Sequence, residues 1–145
     1  VLHYKTWCIL IVFWKLFFFF SIFKQMRNKS LFQQNFPFER RYNESHFILQ
    51  KYPDRVPVIC EKGFYCNKQC PTIDKIKFLV PYDLTVSQFL YVIRRRLRIS
   101  PDMVIFLCHG NHFMKNNETF YELYSEYKNA DGYFYCFYLT ENVFG

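Results

Sequence analysis

Apolar and polar residues recur along this chain with two periods, which predict helices and strands in turn. Helix-forming residues run from Phe38 to about Lys51 without Gly or Pro, and Pro53 ends this helix because the residue before a proline is driven out of the α region. Residues 55–62 then predict a strand with Val56, Val58 and Cys60 on one side. The predicted inward face of the helix consists of Phe38, Tyr42, Ser45 and Leu49.

A second strand is predicted over residues 75–80, where charged and apolar side chains alternate. The preceding loop, residues 63–72, contains Gly63 and Pro71, which interrupt regular structure. Alternation of this kind indicates one solvent-facing side, as expected at the edge of a sheet. Pro81 is predicted to close the strand.

Two capping boxes are the clearest local signals. Thr85-Val86-Ser87-Gln88 and Thr119-Phe120-Tyr121-Glu122 each begin a predicted helix, and Leu84 and Phe89 flank the first as a hydrophobic staple. The predicted inward residues are Val86, Leu90, Ile93 and Leu97 in the first helix, and Phe120, Leu123, Tyr124 and Tyr127 in the second.

The remaining elements are strands. Residues 104–108 predict a short apolar strand, followed by a turn at Gly110-Asn111. Asp131-Gly132 is predicted to end the second capped helix, and residues 133–139 predict a nearly continuous apolar strand at the centre of a sheet. The resulting order of helices and strands predicts an α+β protein.

Length and charge narrow the possible functions. The 145 residues suit one domain. Residues 26–98 carry 14 basic and 6 acidic side chains, whereas residues 99–145 carry 2 and 6. A basic half suits acidic peptides or anionic lipid surfaces. No nucleic-acid-binding motif accompanies the basic residues, so nucleic acid is not an expected partner.

The six cysteines do not form a recognisable metal or disulfide pattern. Only Cys66 and Cys70 are close in sequence, and no histidine or second cysteine pair stands at a zinc-like spacing. Cys60, Cys108 and Cys136 lie in apolar runs and are predicted to be buried core residues. We therefore expect reduced thiols, a cytoplasmic protein, and no metal or other cofactor.

No catalytic motif is present in the sequence. The patterns for a nucleophile elbow, a P-loop and a zinc protease are absent. His109 and His112 flank Gly110 but have no carboxylate or cysteine companion that would complete a catalytic set. We therefore predict that the protein is not an enzyme.

The first 25 residues differ from the rest. Residues 7–23 are almost all apolar but are interrupted by Lys15, and this run is shorter than the roughly 20 residues that span a bilayer. No small-x-small cleavage site follows Phe23. We interpret residues 1–25 as an extension outside the fold, arising from translated upstream sequence or a misplaced gene boundary, and residues 26–145 as the domain. A membrane anchor is the alternative.

Several blocks of this sequence occur in a known family. They are PFERR (37–41), KYPDRVPVICEK (51–62), KFLVPYDLTVSQF (77–89), IRRR (93–96) and the terminal Phe-Gly. In this order they closely resemble the autophagy-related ubiquitin-like modifiers, the family of autophagy-related protein 8. The resemblance covers about 110 residues, from Phe36 to Gly145. It implies a ubiquitin-like β-grasp fold with an additional N-terminal helical subdomain.

The resemblance also implies a chemistry that is performed on this protein. The carboxyl group of Gly145 would be adenylated, carried as a thioester on activating and conjugating enzymes, and joined to the amine of phosphatidylethanolamine. Because Gly145 already ends the sequence, no proteolytic processing is expected. Lipidated protein would lie on the autophagosome membrane.

A second implied function is recognition of aromatic-x-x-aliphatic motifs with acidic flanks in autophagy cargo receptors. The peptide would add to the exposed edge of the sheet. By resemblance, the aromatic pocket consists of Glu44, Ile48, Pro57, Lys77, Leu79 and Tyr133. The aliphatic pocket consists of Phe78, Val80, Pro81, Leu84, Phe89 and Val92. Arg55, Lys75 and Arg96 would face the acidic flank.

The sequence departs from the family pattern at two places. Ile76 interrupts a run of lysines before the second strand, and residues 110–117 replace a segment rich in Asn and Pro. Several of the predicted pocket residues could also be ordinary core residues. Two alternatives therefore stay open: an unconjugated trafficking or microtubule-associated adaptor, for which microtubules are a partner, and a diverged non-functional copy.

Overall fold

The computed structural model describes residues 9–17, 30–64, 66 and 69–142. Residues 9–17 are helical. The helices that follow are α1 (Leu31–Asn35), α2 (Phe38–Lys51), α3 (Val86–Leu97) and α4 (Phe120–Tyr127). The strands are β1 (Arg55–Lys62), β2 (Lys77–Pro81), β3 (Met103–His109), β4 (His112–Phe113) and β5 (Phe134–Asn142).

The helical run over residues 9–17 exposes its large apolar side chains, among them Trp14 and Phe17. Within the described part of the chain, no helix combines the length and hydrophobicity needed to cross a bilayer. Residues 1–8 and 18–29 lie outside the described residues. The division of the chain at residue 26 therefore stays a prediction.

The strands form one mixed sheet in the order β2-β1-β5-β3-β4. β1 pairs antiparallel with β2 and parallel with β5, whereas β3 pairs antiparallel with both β5 and β4. β5 therefore has a strand on each side, and β2 lies at an edge. The central position of β5 confirms the prediction from the apolar residues 133–139, and the edge position of β2 confirms the prediction from the alternating residues 75–80.

Helices cover both faces of this sheet. Successive side chains of a strand point to opposite faces, and residues paired across strands share a face. On the first, called here the α2 face, Phe32 of α1 packs with Ile59 and with Tyr133 and Tyr135 at the start of β5. On the second, called here the α3 face, α3 and α4 pack on the larger core. Fully buried members of that core include Val56, Val58, Phe89, Ile93, Phe120, Leu123 and Phe134.

Capping boxes begin α3 and α4, as the sequence predicted. In α3, Gln88 N–H donates to the hydroxyl of Thr85, and Thr85 N–H donates to the Gln88 side chain at 2.9 Å. α4 begins in the same way at Thr119. A further box at Ser30 begins α1, a helix whose five residues are too few to produce a hydrophobic period.

Some boundaries differ from the predictions. β2 starts two residues later and includes Pro81, which is tolerated because an edge strand has one row of backbone groups outside the ladder. α4 ends at Tyr127, before the predicted stop, and β4 directly follows the predicted turn at Gly110-Asn111, where no strand was predicted. In α3 the buried stripe contains Phe89 as well as Val86, Ile93 and Leu97, while Leu90 is only half-buried.

The predicted inward face of α2 is half wrong. Phe38 and Tyr42 are 49% and 40% exposed, whereas Arg41 and Ser45 are buried. Burial of Arg41 is possible because its guanidinium forms an ion pair with Asp131, which is itself fully buried. A hydrophobicity pattern cannot show such a pair, since the two residues are 90 positions apart.

Asp131 is the centre of a buried polar network. Its carboxylate accepts hydrogen bonds from Arg41, from the Tyr135 hydroxyl at 2.5 Å and from Tyr133 N–H at 2.9 Å. Its backbone carbonyl accepts a hydrogen bond from the Ser45 hydroxyl. Gly132 follows with φ of 88°, and a Cβ there would collide with Ser45. The network therefore joins α2, the turn after α4 and the start of β5.

Removal of this carboxylate should be strongly destabilising. We expect Asp131→Ala to lower the free energy of unfolding by about 3–5 kcal/mol, because Arg41 would stay buried without its partner. The matched control is Asp74→Ala. It removes an exposed partner of Arg96 at 3.6 Å and should change the free energy by about 0–1 kcal/mol. Urea denaturation measures both values. Equal losses of unfolding free energy in the two variants would contradict the central role assigned to Asp131.

Candidate functional site

The predicted binding edge coincides with strand β2. Because β2 is the outermost strand on its side of the sheet, one row of its backbone groups faces away from β1. Five predicted site residues are the strand itself: Lys77, Phe78, Leu79, Val80 and Pro81. They alternate between the two faces, so β2 contributes to a separate environment on each side.

On the α2 face, the register brings the predicted aromatic-pocket residues together. Leu79 pairs with Pro57 of β1, and Lys77 pairs with Ile59, which packs against Tyr133. The Lys77 ammonium is 2.5 Å from the Glu44 carboxylate of α2. Ile48 lies one turn further along α2 and is half-buried. These residues line the junction between α2 and β2.

The floor of this junction carries an unusual polar group. Tyr133 is 1% exposed, and its hydroxyl has no hydrogen-bond partner among the described residues. Burial, and then the nearby charge of Glu44, raise the pKa of Tyr133, so the phenol is neutral. Phe32 packs edge-on against it with ring centroids 5.5 Å apart. Lys77 Nζ lies 5.1 Å from the centre of the Phe32 ring. α1 and the Glu44–Lys77 pair therefore cover this floor.

On the α3 face, the predicted aliphatic-pocket residues divide into a floor and a rim. Phe89 and Val80 are 1% and 3% exposed and belong to the main core. Phe78 is half-buried and meets Phe89 edge-on at 5.2 Å between ring centroids. Val92 follows Phe89 by three positions, on the same side of α3, and is 38% exposed. Phe89 and Val80 are therefore core residues, whereas Phe78 and Val92 are exposed enough to line a pocket.

The last two members of that set lie where the edge strand ends. Pro81 pairs with Arg55, so alternation places it on the other face from Phe78 and Val80. Leu84 is half-buried and packs against the main core.

The three predicted basic residues lie around the ends of β2. Arg55 is half-buried opposite the last residue of the strand, and Lys75 is exposed just before it. The Arg96 guanidinium lies 5.5 Å from the centre of the Phe78 ring and 3.6 Å from Asp74. Positive charge therefore flanks the edge at both ends.

Sequence reasoning missed Glu61, which anchors α1 beside this site. Glu61 is 6% exposed, and one carboxylate oxygen accepts a hydrogen bond from Phe32 N–H at 3.0 Å. The other oxygen has no partner among the described residues. Burial raises the pKa of Glu61, while the hydrogen bond from Phe32 N–H opposes the rise. Its position within an apolar strand was the only signal in the sequence.

Gly145, the predicted conjugation residue, lies outside the described residues, as do Val143 and Phe144. What the structure does describe is the strand that leads to it. β5 ends at Asn142, which pairs with Met103, the first residue of β3.

A mixed sheet in which the first strand pairs antiparallel with the second and parallel with the last, with helix α3 packed on one face, defines a ubiquitin-like protein. The family model described as autophagy protein Atg8, ubiquitin-like, matches residues 40–145. A crystal structure of Trypanosoma brucei ATG8 matches this fold with a TM-score of 0.73 and is 34% identical in sequence. That match covers 81% of this chain and all of the trypanosome chain.

Curated relatives agree with this match. Autophagy-related protein 8 of Mycosarcoma maydis is 45% identical over 117 residues, covering 81% of this chain and 98% of that protein. The Schizosaccharomyces pombe protein of the same name is also 45% identical over 117 residues, covering 95% of its length. The chain therefore belongs to the Atg8 family of autophagy-related ubiquitin-like proteins. Membership implies association with the autophagosome, the autophagy machinery and the ubiquitin-like conjugation pathway.

The burial of Glu61 predicts a pH dependence. A carboxyl group with a higher pKa in the folded than in the unfolded state binds its proton more readily when folded. Its stabilising contribution is therefore fully present below the unfolded pKa of about 4.5 and is lost as pH rises through the folded pKa. Relative to Glu61→Gln, which cannot titrate, the unmodified protein should gain unfolding free energy as pH falls from 7 towards about 4.5. If the difference in unfolding free energy between the two proteins stays constant with pH, or changes in the opposite direction, the expected effect of Glu61 is contradicted.

Proposed function

We propose that this protein is a ubiquitin-like modifier that is joined through Gly145 to phosphatidylethanolamine and then recruits cargo receptors to the autophagosome membrane. The observation that carries the proposal is membership of the Atg8 family together with the Phe-Gly sequence that follows β5. β5 is held on both sides by neighbouring strands. The conjugated residue would thus follow a firmly anchored strand by three positions.

The conjugation begins with the carboxylate of Gly145. This carboxylate attacks the α-phosphorus of ATP, which forms an acyl adenylate and releases pyrophosphate. A cysteine thiolate of the activating enzyme displaces AMP, and the acyl group passes to a cysteine of the conjugating enzyme. The lipid amine then attacks the thioester carbonyl, forms an amide and releases the thiol. Every catalytic group belongs to the enzymes, so this chain supplies only the acyl group.

The receptor motif would add to β2 as a further strand, with its aromatic and aliphatic side chains on opposite flanks of that edge. On the α2 face the aromatic residue would enter beside Lys77, Leu79 and Glu44. On the α3 face the aliphatic residue would lie on Phe78 and Val92. The support for this mode is that β2 is an edge strand with half-buried apolar side chains and with basic residues at both ends.

Lipidation in vitro tests the conjugation. Protein ending at Gly145 is incubated with the Atg8-family activating and conjugating enzymes, ATP and liposomes containing phosphatidylethanolamine. We expect a product of higher gel mobility whose mass includes the lipid, and we expect none with Gly145→Ala. Liposomes of phosphatidylcholine alone, which offers no primary amine, are the control. An unconjugated adaptor would give no product in any of these reactions.

Peptide binding tests the groove separately. Val92→Asp should weaken binding of an acidic peptide containing Trp-x-x-Leu at least about tenfold, because the ligand would desolvate the new carboxylate. The matched control is Tyr91→Asp, which adds the same charge on the same helix at a residue 62% exposed and pointing away from Phe89. Calorimetric titration measures both, and similar affinities for the two variants would argue against this site.

A further inference from the structure

Two cysteines of the β1–β2 connection meet on the last strand of the sheet. The Cys66 sulfur lies 3.3 Å from the Thr140 hydroxyl oxygen and accepts a hydrogen bond from Thr140 N–H, also at 3.3 Å. The Cys70 thiol donates to the Pro71 carbonyl at 3.5 Å and lies near enough to both groups that Cys66 raises its pKa and Thr140 lowers it. Thr140 of β5 therefore brings the two thiols side by side, and both are free cysteines.

The rest of the connection holds this pair in place. The Lys62 ammonium donates to the Cys70 carbonyl at 2.5 Å. The hydroxyl of Tyr138 donates to the Pro71 carbonyl at 3.0 Å and accepts from Ile73 N–H at 2.9 Å. Cys70 and Ile73 are both members of the main core. The contact between the two thiols is thus fixed by bonds on the chain segment that carries Cys70.

Solvent exposure distinguishes this pair from the other described cysteines. Cys60 and Cys136 lie opposite each other on β1 and β5, but they are 0% and 1% exposed. Cys108 is also fully buried, and burial raises its pKa to about 12. Cys70 is 3% exposed, with a pKa raised to about 11 by burial and by Cys66. Cys66 alone is half-buried rather than enclosed.

We propose that Cys66 and Cys70 form a peroxide-responsive thiol pair that oxidises to an intramolecular disulfide in the folded protein. Cys66 is the residue oxidised first because it is the more exposed of the two, and its sulfur accepts a hydrogen bond from Thr140 N–H and lies within hydrogen-bond distance of the Thr140 hydroxyl. Cys70 is the resolving residue. The described residues contain no group of three or more His, Cys, Asp or Glu side chains placed to hold a metal ion.

The reaction balances with hydrogen peroxide as oxidant. The Cys66 thiolate attacks one peroxide oxygen, an S–O bond forms, the O–O bond breaks, and the leaving hydroxide takes a proton to become water. The Cys70 sulfur then attacks the sulfenic sulfur of Cys66. The S–S bond forms, the S–O bond breaks, and a second water leaves with the Cys70 proton. Two electrons pass from the two sulfurs to the peroxide.

The sequence offers a direct assay because Lys68 separates the two cysteines. Trypsin places Cys66 in the peptide of residues 63–68 and Cys70 in the peptide of residues 69–75. Reduced, folded protein is treated with hydrogen peroxide, quenched with acid, alkylated in denaturant and digested. We expect the two peptides to appear as one disulfide-linked species that dithiothreitol separates. Cys60, Cys108 and Cys136 should be alkylated, since their oxidation should be at least about tenfold slower in these enclosed positions.

Variants identify the order of the two steps. Cys70→Ser should leave a sulfenic acid on Cys66 that dimedone traps, whereas Cys66→Ser should abolish both the link and the trapped product. Cys60→Ser should still form the link. The linked protein should melt about 3–8 °C higher than peroxide-treated Cys70→Ser, because the bond constrains the unfolded chain.

Three results would overturn the proposal. The first is a Cys66 sulfenic acid that persists in the unmodified protein without linking to Cys70. The second is a link between other cysteines formed in preference to this one. The third is a Cys66–Cys70 link that appears only after denaturant is added. None of these results depends on lipid conjugation or on peptide binding.

Discussion

The buried carboxylate of Asp131 is the constraint on which the N-terminal half of the fold depends. Covering the α2 face requires a helix to lie on it, and the buried residues of α2 are the polar Arg41 and Ser45. Arg41, Ser45 and Tyr135 meet at Asp131 and its backbone carbonyl. A charge pair removed from water is stabilising only when its remaining hydrogen bonds are satisfied. Here the Asp131 carboxylate accepts three donors.

This polar anchor has consequences for the candidate binding edge. Once α2 is fixed at Asp131, Glu44 lies where it pairs with Lys77 on β2. The same network starts β5, and Tyr133 is thereby placed beneath the junction of α2 and β2. One flank of the edge is thus assembled by polar contacts, whereas the other flank is the margin of the hydrophobic core. Only the second flank shares its floor with the main core. Substitutions on the two flanks should therefore differ in their effect on the stability of the fold.

The sequence was informative where local chemistry determines structure. The capping boxes at Thr85 and Thr119 and the continuous apolar strand of β5 were all predictable, because short-range contacts and hydrophobic period specify them. The site residues on β2 came from the family resemblance, and the structure groups them around one edge. Their pocket roles, and that of Gly145, stay predictions.

What the sequence did not show depends on contacts between distant residues. No periodicity reveals that Arg41 is buried while Phe38 and Tyr42 are exposed, because Asp131 is the cause. Glu61 and the partnership of Cys66 with Cys70 across Thr140 are of the same kind. A carboxylate in an apolar strand and a C-x₃-C spacing were visible, but the groups that face them come from α1 and β5.

The central position of β5 also determines when this fold can be completed during synthesis. β1 and β3 are both translated before β5, yet both hydrogen-bond to β5. Until that segment leaves the ribosome, two strands lack their neighbour, and pairings between distant parts of a chain form slowly. A nascent chain of this protein therefore exposes apolar strand edges of β1 and β3 until β5 has been made, and shielding by chaperones is needed over that interval.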